Sequence, residues 1–111
     1  MNSTNKKVKI VEPAGILDGT KASQFRNEIG ESVKNGGAEI ILIDFKDVTF
    51  MDSSGLGALV LALKTVRAAS ASLCICSINE QISMLFELTS MDRVFNIFPD
   101  RKAFEAKLPN L

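Results

Sequence analysis

The sequence predicts an α/β domain in which about four helices pack on a mostly parallel sheet of four to five strands. Short apolar, β-branched runs alternate with segments whose apolar residues return every three or four positions, as in strands joined by crossover helices. The run Glu39-Ile-Ile-Leu-Ile-Asp-Phe45 is almost continuously apolar, the reading of a central strand covered on both faces. With 111 residues, 46% hydrophobic and 23% charged, the chain can bury one core. Residues 1–111 carry no repeat, linker or low-complexity stretch that would divide them.

Residues 1–7 read as a flexible N-terminus, and Lys6-Lys7 lead into no apolar h-region of a secretory signal. Val8 to Val11 is a short strand ending near Pro13, and Gly15-Ile-Leu-Asp-Gly19 is a turn-bearing stretch. Ala22, Phe25, Ile29 and Val33 then follow helical spacing, with Asp18 or Thr20 as the cap and Gly36-Gly37 as the stop. After the central strand come a Lys46-Asp47 turn, a short Val48–Phe50 extension and a long helix to about Ala69. Ser72 to Ile78 is the next strand, and Asn79 caps a helix through Leu88 whose Ile82, Leu85 and Phe86 share one face. Val94 to Phe98 is the last strand, before a helix capped by Asp100 and carrying Phe104 and Leu108. An antiparallel pairing of the first strand or two at the sheet edge stays open.

The missing residue types exclude much chemistry. The chain has no histidine, so neither a Ser-His-Asp nor a Cys-His group can form, nor a histidine-bearing zinc site. Cys74 and Cys76 are too few for a cysteine-only zinc site in a monomer; two apart on a strand, they face the same way and read as buried thiols. A formal net charge of zero gives no field for nucleic acid or an anionic membrane, and no apolar run reaches the roughly 20 residues of a span. The expectation is a cytoplasmic protein without cofactor, metal or catalytic residues.

The segment Met51-Asp-Ser-Ser-Gly-Leu-Gly57 departs from plain scaffold. Asp52 and the serines suit a helix start because their oxygens accept free first-turn N–H groups. Gly55 and Gly57 do not suit it, since each costs up to about 1 kcal/mol against alanine. Access for another molecule to the backbone and the two hydroxyls is the expected compensation. Leu56, Leu59, Val60, Leu63 and Val66 form the inward stripe, leaving Ser54, Gly57, Ala58, Leu61 and Thr65 as a smooth second face suited to docking. A phosphate on a serine here is tolerated by the helix dipole, worth about 0.3–1 kcal/mol. A docked partner would instead meet about −1.5 to −2 charges beside Asp52 and near Asp47.

The stretch Ile40–Gly57, with Gly15-Ile-Leu-Asp18 upstream, resembles the STAS family, specifically bacterial anti-sigma factor antagonists; the resemblance runs from about Val8 to Leu108. It implies that Ser53 is phosphorylated by a cognate anti-sigma factor, an ATP-dependent serine kinase of the histidine-kinase-like ATPase fold. The bare form captures that kinase and frees a sigma factor, and a PP2C-type phosphatase resets the switch. ATP and Mg²⁺ belong to the kinase. Asp52 would orient the phosphoacceptor and Asp18 would lie in the partner-facing loop. The partner-binding set is then Asp18, Met51, Asp52, Ser54, Gly55, Gly57, Ala58 and Leu61. The alternative within the family is a phosphorylation-independent scaffold or an accessory subunit of a membrane transporter.

Readings outside the family fit less well. A receiver domain could use Asp44 as its phosphoacceptor, but Glu12 stands alone where an acidic pair is needed for Mg²⁺, and Phe98 precedes Pro99 where a lysine belongs. Asp44 reads instead as a strand end facing solvent or capping a turn. Gly55-Leu-Gly57 lacks the third glycine of a dinucleotide loop, since Val60 stands there, and neither Ser53 nor Ser54 has the preceding glycine or the histidine base of a hydrolase.

Overall fold

The computed structural model describes residues 6–110, in which six strands and four α-helices alternate. Strands β1 (Val8–Val11), β3 (Ile40–Asp44), β5 (Ser72–Cys76) and β6 (Asn96–Phe98) form a four-stranded sheet in the order β1-β3-β5-β6. Strands β2 (Ala14–Leu17) and β4 (Asp47–Met51) form a separate two-stranded ribbon. The helices are α1 (Gly19–Lys34), α2 (Ser53–Ala68), α3 (Glu80–Leu88) and α4 (Arg101–Lys107), with short 3₁₀ turns at Met91–Arg93 and Leu108–Asn110.

The burial of β3 explains its sequence. All five residues are buried, and they split by parity. Ile41 and Ile43, with Leu73 and Ile75 of β5, join the core made by Phe25, Ile29 and Val33 of α1, Leu56, Leu59, Leu63 and Val66 of α2, and Ile82 and Phe86 of α3. Ile40 and Leu42, with Cys74 and Cys76, meet Phe104 of α4 on the other face. The two thiols are free and buried as expected, and burial pushes Cys74 up to about 11.

Each helix begins where the sequence places a capping side chain. Asp18, Asp52, Asn79 and Asp100 cap α1 to α4, accepting from the backbone N–H of Thr20, Gly55, Ile82 and Ala103 at 2.8–3.0 Å. Of the two caps open for α1, the chain uses Asp18.

Three expectations about the strands are corrected. The strands at the edge do not pair antiparallel: every pairing, β1 with β3 and β2 with β4 included, is parallel. The partners are always separated by a helical crossover, which parallel pairing requires. Residues 15–19 are not only a turn, since Gly15 to Leu17 belong to β2; Gly15 has a φ of +75°, which gives the stretch its turn-like composition. Val48–Phe50 does not extend the central strand but lies inside β4, a strand with its own partner. Of the N-terminal segment 1–7, residues 1–5 lie outside the described residues, and Lys7 is held: its N–H donates to Glu39 Oε1 and its carbonyl accepts from the N–H of Glu39 and Ile40.

Asp44 does not face solvent. It is buried at the end of β3, where it accepts from the Lys46 N–H at 3.0 Å, the turn-capping half of the expectation, and from Arg101 Nη2 at 2.9 Å. Burial works against its charge, yet these donors hold its pKa below the usual carboxylate value. Arg101 also reaches Glu12, which pairs with Lys46, and Lys46 pairs with Asp47. Hydrogen bonds from Lys46 and then Arg101 lower Glu12, and those to Glu12 and Asp47 raise Lys46. The network ties the β1–β2 and β3–β4 connections, where the chain leaves the sheet for the ribbon, to the start of α4.

Candidate functional site

The ribbon places two helix starts side by side. β2 runs directly into Asp18 at the head of α1, and β4 into Asp52 at the head of α2. Leu17 and Met51 are register partners, so the two caps are neighbours. Contact between the helix starts is close: a Cβ on Gly19 would lie 3.6 Å from Ser54 Cβ, and one on Gly55 would lie 2.1 Å from the Leu17 carbonyl oxygen.

Ser53 is the first residue of α2 and is exposed, as is Ser54. Among the described residues neither hydroxyl is engaged in a hydrogen bond. Asp52 is half-buried, with Oδ1 taken by the Gly55 N–H at 2.9 Å. The helix thus opens with a fixed cap and two free hydroxyls above it. Asp18 is likewise half-buried beside them; the Thr20 hydroxyl and N–H both bond its Oδ1, and the hydroxyl is the main cause of its lowered pKa.

The partner-binding set divides in two. Asp18 and Asp52 are partly accessible, and Ser54, Gly57 and Leu61 are exposed; Leu61 is 42% exposed, and a Cβ on Gly57 would meet nothing within 4 Å. Met51, Gly55 and Ala58 are buried, which corrects their assignment to a docking face. Gly55 is small because the backbone of β2 presses on it, not because a partner must reach it. Ala58 fills the contact between α2 and the core. Met51 turns inward because of an irregularity in the ribbon: Gly15 pairs with Val48 but Ile16 with Phe50, so Thr49 is an extra residue. Such a bulge reverses the facing of all that follows, taking Phe50 out and Met51 in. Asp47, expected near the phosphate, begins β4 and pairs with Lys46. A strand length, about 13 Å at the usual rise, separates it from Met51 at the end of β4 that leads to Ser53.

The same bulge exposes residues that sequence reasoning missed. Ile16 and Phe50 lie opposite each other on the ribbon and are 50% and 44% exposed. They extend the accessible surface from Ser53 along the ribbon with two large apolar side chains. The apolar identity of Phe50 was visible, but the inserted residue that sets its facing was not.

A family model described as the STAS domain matches residues 2–103. The chain belongs to this family. Among relatives of this STAS domain, the anti-sigma-B factor antagonist of Bacillus subtilis is 31% identical over 87 residues, covering 78% of each chain. A crystal structure of a candidate anti-sigma factor antagonist from Thermotoga maritima superposes with a TM-score of 0.79 at 28% identity, covering 89% of this chain and 86% of that one. The STAS domain of a SulP transporter from Vibrio cholerae superposes with a TM-score of 0.76 at 18% identity, covering 96% and 85%, a likeness of fold alone. No helix among the described residues is long and apolar enough to cross a membrane, and no group of three or more metal-ligating side chains is gathered there.

Proposed function

We propose that this STAS domain is an anti-sigma factor antagonist, a binding module rather than an enzyme, switched by phosphorylation of Ser53. The observation that carries the reading is the position of Ser53: an exposed hydroxyl on the first residue of α2, without a hydrogen bond among the described residues, directly after the Asp52 cap, with Ile16 and Phe50 of the ribbon and Leu61 of α2 also exposed. The bare surface receives an anti-sigma factor that is also a serine kinase of the histidine-kinase-like ATPase fold, and its capture releases a sigma factor. ATP and Mg²⁺ enter with that kinase, and a PP2C-type phosphatase restores the serine. The antagonist names of the relatives support this role, and the cytoplasm is where such partners work.

The switch follows from where the charge is added. On the domain itself, phosphate at Ser53 sits at the positive end of the α2 dipole and leaves the fold intact. Against a docked kinase it places about −1.5 to −2 charges beside Asp52 in an apolar contact. Burial of uncompensated charge costs about 2–5 kcal/mol, tens to thousands of fold in affinity. Ser53→Ala is expected to stay folded and hold the kinase constitutively, and Ser53→Asp to stay folded and bind weakly. Phosphopeptide mass spectrometry after incubation with the kinase and ATP locates the site. Label on Ser54 alone contradicts the assignment.

The likeness of fold to a transporter STAS domain keeps one other reading, a scaffold or transporter accessory subunit that works unphosphorylated. An absence of label from wild-type chain with an active kinase would favour it.

A further inference from the structure

The ribbon has only two strands, so the outer edge of β4 has no strand to pair with, yet it is covered. Side chains from the start of α3 do the pairing. Gln81 Oε1 accepts the Met51 N–H at 2.9 Å, and Gln81 Nε2 donates to the Met51 carbonyl at 2.8 Å. One carboxamide thereby reproduces both hydrogen bonds that a neighbouring peptide group would make. Asn79 adds to it: Nδ2 donates to the carbonyls of Thr49 at 3.1 Å and Val48 at 3.3 Å, while Oδ1 caps α3.

In a parallel strand the N–H and C=O of one residue point to the same side, and the next residue's point to the other. Met51 directs both groups at Gln81, and Met51 is fully buried, so water cannot replace that partner. Met51 is also the last residue of β4, followed at once by the Asp52 cap and Ser53. The peptide that aims Ser53 is therefore fixed from one side by Leu17 of β2, its register neighbour, and from the other by Gln81.

We propose that Gln81 is a positioning residue for the Ser53 switch, holding the Met51 peptide so that the Ser53 hydroxyl meets the kinase in one orientation. The inference rests on Ser53 being the phosphoacceptor. Phosphoryl transfer needs the attacking oxygen aligned with the phosphorus, and a misplacement of about 1 Å can cost about 100-fold in rate. The exposed Ile16, Phe50 and Leu61 take no part in the Gln81 hydrogen bonds, so docking on them should survive its loss better than transfer does.

The test is steady-state phosphorylation by an anti-sigma factor kinase that labels the wild-type chain, with Gln81→Leu and Gln81→Glu compared with wild type. Leucine removes both hydrogen bonds; glutamate keeps the acceptor for the Met51 N–H and loses the donor to its carbonyl. Expected is a kcat lowered about tenfold or more for Gln81→Leu at nearly unchanged KM, with Gln81→Glu intermediate. Amide exchange read alongside should show Met51 protected in the wild type and deprotected in Gln81→Leu, with α2 beyond Gly57 unchanged. Wild-type kcat and KM in both variants would overturn the proposal, as would a wild-type Met51 amide exchanging as fast as an open strand edge; the latter decides the matter even if Gln81→Leu fails to fold. If no anti-sigma factor kinase labels the wild type, the phosphoacceptor reading itself fails and takes this role of Gln81 with it. Label on the wild type with indifferent variants removes only the positioning role.

Discussion

The four-stranded sheet and the β2–β4 ribbon are both parallel, but they are stabilised in different ways. In the sheet, β3 is paired on both edges and buried on both faces, so its position is overdetermined. In the ribbon, β2 and β4 have each other, an irregular register, an exposed apolar pair at Ile16 and Phe50, and carboxamides in place of a third strand. The sheet holds the fold. The ribbon holds two helix starts in register and leaves one face open, as the proposed recognition and modification of Ser53 require. On that proposal, stability and recognition fall on different residues a few positions apart.

Substitutions can break that division, and the largest effect is expected in the sheet. Ile43→Ala should lower unfolding free energy by about 2–5 kcal/mol in urea titrations, because a fully buried side chain leaves a cavity between β3 and the helices. Next comes the seam between ribbon and α2. Gly55→Ala drives a methyl group into the Leu17 carbonyl and should cost about 1–3 kcal/mol, whereas Gly57→Ala, two residues on and in open space, should be neutral or gain up to about 1 kcal/mol. Equal melts for these two variants would mean that the Leu17 carbonyl does not constrain Gly55.

The joint between sheet and ribbon should respond to pH. Asp44 and Glu12 both have lowered pKa values, so their contribution is present above the ordinary carboxylate range, near pH 4, and is lost as the pH falls through the lowered values. Asp44→Asn should cost about 1–3 kcal/mol at neutral pH and flatten the acid limb of the stability profile. An unchanged limb would place the acid sensitivity elsewhere. The smallest change in stability is expected on the open face of the ribbon: Phe50→Ala should shift it by less than about 0.5 kcal/mol while weakening kinase capture in a binding titration. A marked loss of stability would return Phe50 to the core.

Much of this arrangement is legible in the sequence because local chemistry determines it. The buried β3 run, the stripe of α2, the shared face of Cys74 and Cys76, and the caps at Asp18, Asp52, Asn79 and Asp100 each follow from periodicity or from a side chain suited to a helix start. What could not be read depends on contacts between distant segments. One extra residue at Thr49 decides whether Phe50 or Met51 faces out, and no local preference marks it. Gly55 looks the same as Gly57 until Leu17, 38 positions earlier, is laid against it. Gln81 reads as an ordinary first-turn helix residue, although its amide completes the edge of a strand 30 positions away. Asp44 carries a charge that sequence alone sends to solvent or to a turn cap, and the Lys46 N–H together with the distant Arg101 makes its burial tolerable.

The most direct test is a calorimetric titration of an anti-sigma factor kinase with two preparations of this chain, one bare and one stoichiometrically phosphorylated at Ser53, each checked for an unchanged cooperative melt. The prediction is tight binding by the bare form and an affinity lower by tens to thousands of fold for the phosphorylated form. Equal affinities, or a phosphorylated form whose melt has collapsed, would contradict it.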